Sequence, residues 1–175
     1  MTRPKTLANQ CPRCRTTRII ERVATSKRPY AFGLSGLSNL LLCGIKVQSC
    51  AKCGLESPTI PRLGRLMDTI ARSLLRKPAR LTGEELRYLR KHVGMRTNAF
   101  AARVRVRPEH LSRVENGKSA VAEQLDRLAR AVVSAELDQE FLRELLLDWV
   151  DDLEEAPEAP APCFELHGKK WVPAA

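Results

Sequence analysis

TGEELRYLRKHVGMRTNAFAARVRVRPEHLSRVENG, residues 82–117, decides the reading of the C-terminal half. Thr82-Gly83-Glu84-Glu85 is a capping box, in which the hydroxyl and the carboxylate satisfy each other's orphan backbone donors. The helix it opens is expected to run to about Val93 and to end at Gly94. Asn98 to Arg103 and Pro108 to Glu115 then read as two short helices, the second opened by proline in its first turn and closed near Gly117. The break between those two is the informative feature. Val121 to Val133 and Leu137 to Leu153 complete an all-helical set, with Leu125, Leu128, Val132, Phe141, Leu142, Leu145 and Leu146 at helical intervals.

Upstream the grammar changes. Cys11-Pro12-Arg13-Cys14 and Cys50-Ala51-Lys52-Cys53-Gly54 bracket a unit in which Thr16 to Val23 and Ile45 to Cys50 are strand-like and Leu40, Leu41 and Leu42 form a short apolar run. Two C-x-x-C knuckles let four thiolates converge on one cation, and four sulfurs are the ligand set of a closed tetrahedral zinc site. No position is left for water, so the expected zinc, one per chain on Cys11, Cys14, Cys50 and Cys53, is structural. Cys43 and Cys163 have no neighbour in sequence and read as inert thiols. After Pro61, the spacing of Leu63, Leu66, Met67, Ile70, Ala71, Leu74 and Leu75 predicts a connecting helix that Pro78 stops.

Composition narrows the function classes. The 175 residues carry a formal charge of +10, spread unevenly: residues 1–80 hold 16 cations against 3 anions, and residues 136–175 hold 3 against 11. A basic body suits a polyanion. The aromatic fraction of 5% is low for one large core, so two modest cores fit better. No apolar run approaches a membrane span and residues 1–10 are polar, so the expected location is cytoplasmic, with no membrane partner. His92, His110 and His167 are isolated, and no nucleophile or acid/base constellation can be named; an enzyme is not expected.

Residues 96–117 resemble the helix-turn-helix of phage-repressor-like, XRE-type regulators through Phe100-Ala101, Val104, Val106 and Leu111-Ser112-Arg113-Val114-Glu115-Asn116-Gly117. A wider resemblance spans about residues 11–133. Cys-Pro-x-Cys, Ser35 to Leu40, Gly44-Ile45, the second knuckle with Gly54, Ile60-Pro61 and Leu81 to Lys91 follow the order of the MqsA family, the YgiT-type zinc finger and helix-turn-helix proteins. That resemblance implies DNA binding, and for some members a toxin partner and dimeric repression of their own operon. It also implies groove-facing roles for Thr97, Pro108, Glu109 and Arg113, with His110 beside them, and phosphate contacts for Arg107, Asn116 and Lys118. Arg113 can donate two hydrogen bonds to guanine and Glu109 can accept from cytosine N4. A buried ion pair between Arg90 and Glu115 follows from the same matching. Two departures stand out: Arg105 occupies a turn position usually held by glycine, and Arg107 replaces the usual Ser or Thr cap.

The expected fold class is therefore α+β in two domains. Residues 1–61 form a zinc-ribbon-like β unit, 62–79 a connecting helix, 80–155 an all-α helix-turn-helix domain, and 156–175 a Pro-rich linker and tail whose Phe164 and Trp171 suggest docking onto a surface. The expected function is sequence-specific transcriptional regulation by a homodimer on a palindromic double-stranded operator. The alternatives are an antitoxin that chiefly neutralises a toxin and a zinc-dependent RNA-binding protein.

Overall fold

The computed structural model describes residues 10–137, 163–168 and 170–173. The expected helix from Leu137 to Leu153 lies outside them, save its first residue, and so does the proline-rich stretch 156–162. The described chain is mixed α and β, with strands toward the N-terminus and helices through its later part. It falls into two compact units, one of residues 10–32, 40–63 and 163–173, the other of 33–39 and 64–137.

The first unit holds two sheets. Strands β1 (Ile19–Val23), β4 (Lys46–Cys50) and β5 (Glu56–Thr59) form an antiparallel sheet in the order β1-β4-β5, with Ile19 opposite Cys50 and Gln48 opposite Ser57. Strands β2 (Tyr30–Ala31), β3 (Leu41–Cys43), β6 (Cys163–His167) and β7 (Lys170–Pro173) form the other, in that order. Leu42, Cys43, Ile45 and Val47 are buried in its core.

The β6–β7 hairpin departs from the expected tail. Phe164 alternates with polar neighbours along β6 and is buried, Gly168 opens the turn at φ +59°, and Trp171 is buried with its indole N–H donating to the Pro61 carbonyl. That alternation is the period of a strand with one wet face. β6 pairs parallel to β3, a contact across more than a hundred residues that local reading does not reveal.

The second unit is helical, with α1 (Leu63–Arg76, its first residue assigned to the first unit), α2 (Gly83–His92), α3 (Thr97–Arg103), α4 (Pro108–Glu115) and α5 (Glu123–Leu137). The capping box forms as read, with Glu85 N–H donating to Thr82 Oγ1 at 3.3 Å and Thr82 N–H donating to Glu85 Oε2 at 2.7 Å. Gly94 and Gly117 take positive φ just after α2 and α4, as C-terminal caps do. The core is Leu66, Ile70, Leu75, Leu86, Leu89, Phe100, Ala101, Leu111, Val114, Leu125 and Ala129.

Two details differ from the sequence pattern. α1 is no mere connector: its apolar side is buried, and the Tyr88 hydroxyl donates to the Met67 carbonyl at 2.9 Å. On α5 the buried stripe is Leu125, Asp126, Ala129, Arg130, Val133 and Ser134, while Leu128 and Val132 are only half-buried. The stripe is turned because a charged pair occupies it. Arg130 donates to Asp126 and to the carbonyls of Leu75, Lys77 and Ala79, closing the C-terminal end of α1, and Asp126 accepts the Leu81 N–H. Helix-end carbonyls without partners are costly when buried, and one guanidinium has enough donors to serve several.

Candidate metal centre and nucleic-acid interface

The two knuckles are built alike. Cys11 N–H donates to the carbonyl of Thr16 and Cys50 N–H to that of Leu55, five residues on in each case; Arg15 N–H and Gly54 N–H return to the carbonyls of Cys11 and Cys50. The residue after each second cysteine is left-handed, Arg15 at φ +57° and Gly54 at φ +68°. Glycine takes that conformation freely, whereas Arg15 costs about 1 to 2 kcal/mol. The pairing of Ile19 with Cys50 sets the knuckles side by side.

Four sulfurs result, all within 4.8 Å of one another, with Cys11–Cys53 at 3.6 Å and Cys14–Cys50 at 3.4 Å. Zinc at about 2.3 Å from each thiolate needs tetrahedral edges of about 3.8 Å, so these four cysteines could hold one metal ion. Burial pushes the Cys50 thiol up, but the N–H groups of Cys53 and Lys52 and the neighbouring sulfurs outweigh it and bring it down to about 6. Cys11 is lowered too, chiefly by the Cys14 N–H. Cys14 goes the other way, to about 12: the Thr16 N–H favours its thiolate, but burial and three adjacent sulfurs oppose it more strongly. A cation would relieve that crowding, because metal binding takes thiolates and releases their protons.

In the second unit α3 and α4 cross over Ala101, whose side chain is fully buried and whose carbonyl accepts the Val106 N–H at 3.0 Å. Arg105, in the turn, lies at φ +56°, the conformation that glycine adopts without strain. Arg107 caps α4 through its backbone alone, with no side-chain bond, and Pro108 follows at the first turn.

The apolar side of α4, Leu111 and Val114, is buried; Glu109, His110, Ser112 and Arg113 are exposed on it, and so are Arg107, Asn116 and Lys118 at its ends. Thr97 and Pro108 are half-buried. The Asn116 amide turns back to the Ser112 carbonyl at 2.7 Å, so it closes the last turn of α4. The buried Arg90 grips Glu115 as a two-pronged fork, Nε to Oε1 at 2.6 Å and Nη2 to Oε2 at 2.8 Å, while Nη1 donates to the Met95 carbonyl at 2.8 Å. That fork ties α2 to the C-terminal end of α4.

Two supports escape a reading of spacing. A side chain on Gly83 would overlap the Val114 carbonyl oxygen, so the start of α2 lies directly against α4. Glu84 accepts from both the N–H and the hydroxyl of Ser38, at 2.9 and 2.7 Å, and these bonds hold its carboxyl below the usual range. The capping box hints at where Gly83 sits; nothing local announces Ser38.

Among the described residues no helix is long and apolar enough to cross a membrane. Residues 82–138 match a family described as the helix-turn-helix domain. No curated protein and no solved structure matches the chain. The chain thus carries an XRE-like helix-turn-helix domain, which supports binding to DNA, and a cysteine cluster able to hold a metal ion.

Proposed function

We propose that this protein is a cytoplasmic, non-enzymatic regulator of the MqsA type that binds operator DNA as a homodimer, with α4 in the major groove. The observation that carries the reading is the division of α4: an apolar side locked down by Leu111, Val114 and the Arg90–Glu115 fork, and an outer side presenting Glu109, His110 and Arg113. Arg113 would donate to guanine and Glu109 accept from cytosine, with Thr97 and Pro108 flanking them. Arg107 and Lys118 would meet phosphates, which set register without reading sequence. An eight-residue helix reaches only a few base pairs, so specificity calls for a second copy on a palindromic half-site. Zinc on the four cysteines would hold the first unit together.

Binding isotherms at several salt concentrations, on a retained genomic fragment and on a scrambled duplex, test this. Arg113→Ala should cost about 1 to 3 kcal/mol on the true site only. Lys118→Ala should weaken both duplexes and lower the salt slope by about one unit. If neither substitution changes binding to any duplex, the DNA reading fails. The antitoxin reading then takes its place, favoured by the exposed Ile20 and Val23 on β1, an edge strand of its sheet among the described residues.

A further inference from the structure

Cys43 and Cys163 lie outside the four-sulfur cluster, and the fold brings their sulfurs to 3.0 Å. β3 ends with Cys43 and β6 begins with Cys163. The parallel register sets Leu41 against Cys163 and Cys43 against Glu165, so the cysteines are diagonal neighbours. Neither strand is loose here. Phe164 is buried beside Cys163, the Trp171 indole is fastened to Pro61, and Gly44 lies so near Leu166 that an added side chain would press on the Leu166 backbone nitrogen at 3.3 Å. The contact therefore belongs to the sheet. The separation exceeds the about 2.05 Å of a disulfide, so the pair is two free thiols in contact.

We propose that Cys43 and Cys163 are a redox pair, converted by a peroxide into a disulfide that fastens β6 to β3. Cys163 is half-buried and Cys43 buried, and burial pushes the Cys43 thiol up to about 12. The more accessible Cys163 thiolate is thus the one that attacks a peroxide oxygen. The O–O bond breaks, hydroxide leaves and takes up a proton, and Cys163 becomes a sulfenic acid. Cys43 then attacks the Cys163 sulfur; its proton goes to the departing hydroxyl, which leaves as water. Two thiols lose two electrons and hydrogen peroxide gains them, giving one disulfide and two waters. The cysteines are 120 positions apart, so the bond closes a loop containing all of α1 to α5.

The test uses the full, zinc-loaded chain exposed to limiting hydrogen peroxide, followed by non-reducing peptide mass spectrometry and a chromogenic chelator that reports freed zinc. The expected result is a dominant Cys43–Cys163 cross-link, lighter by two hydrogens, reversed by dithiothreitol and formed before zinc is released. Cys43→Ser should halt at a sulfenic acid on Cys163, which dimedone traps, and Cys163→Ser should give no cross-link. Retained zinc in both variants shows that the first unit is intact. The proposal is overturned if zinc is released while both thiols still alkylate, or if the cross-links join other cysteines.

Discussion

Replacing Arg90 with alanine should unfold the helical unit more readily than any exposed substitution on the same helix. Arg90 makes two charge-assisted bonds to Glu115 and one to the Met95 carbonyl, and both partners of the pair are buried, their side chains 8% and 5% exposed. The loss leaves a carboxylate inside the unit with no cation, for which about 3 to 5 kcal/mol is usual. That is a large share of a stability of about 5 to 15 kcal/mol. With a urea dependence of about 2 kcal/mol/M, the midpoint should fall by roughly 2 M. Arg87 on α2 is exposed, so Arg87→Ala should stay within about 0.5 kcal/mol. Helical circular dichroism across a urea series measures both. The double variant Arg90→Met with Glu115→Leu should recover most of the loss, because it removes the stranded charge together with its partner. Equal midpoints for Arg90→Ala and Arg87→Ala, or a double variant no better than the single one, would refute the reasoning.

Metal analysis of the native chain should find one zinc per molecule, and Cys50→Ala should lose it and melt the first unit; full zinc retention in that variant counts against the four-sulfur site. Gly83→Ala should destabilise the second unit by ~1 to 3 kcal/mol in thermal melts, since the new Cβ would strike the Val114 carbonyl oxygen, while Gly64→Ala, which meets open space, should not. Arg130→Ala should likewise cost several kcal/mol by stranding Asp126 and the carbonyls of Leu75, Lys77 and Ala79, whereas Arg127→Ala, which removes an exposed side chain paired among the described residues only with the exposed Glu123, should be nearly silent in the same melts. Ser38→Ala should raise the Glu84 titration toward the usual carboxylate value, read by carboxyl NMR. Its lowered folded-state value means the Ser38 bonds stabilise above the ordinary carboxylate range and fade as pH falls through the folded value.

What was legible in the sequence was local. The capping box, the glycine stops and the C-x-x-C spacing each place a few neighbouring atoms, and the backbone there follows the reading closely: Gly94 and Gly117 are left-handed, and the Cys11 and Cys50 knuckles share one hydrogen-bond scheme. The Arg105 position also shows in the backbone, since a turn shaped for glycine keeps its positive φ with arginine in place. The misses were of two physical kinds. Long-range pairing left no mark that spacing could register, so β6 was read as tail although Phe164 and Trp171 carried the apolar signal. Charge inside the core turned the stripe read on α5, because spacing alone gives no sign that Arg130 serves the carbonyls of Leu75, Lys77 and Ala79 while Asp126 takes the Leu81 N–H.

The same distinction bears on how the candidate interface is kept in shape. α4 is only eight residues long, too short to hold its own conformation in water, so the geometry of Glu109, His110 and Arg113 depends on what grips its buried side. Leu111 and Val114 supply burial, but burial alone allows a helix to slide or rotate by a fraction of a turn. The Arg90 fork on Glu115 and the contact of Gly83 with Val114 are directional, and both act at the C-terminal end, one through charge and the other through the absence of a side chain. At the opposite end α4 has no side-chain cap and leans on a strained Arg105 turn. Substitutions that loosen the C-terminal grip should therefore cost sequence discrimination before they cost charge-driven attraction to duplex, since base readout needs the helix in register and phosphate attraction does not.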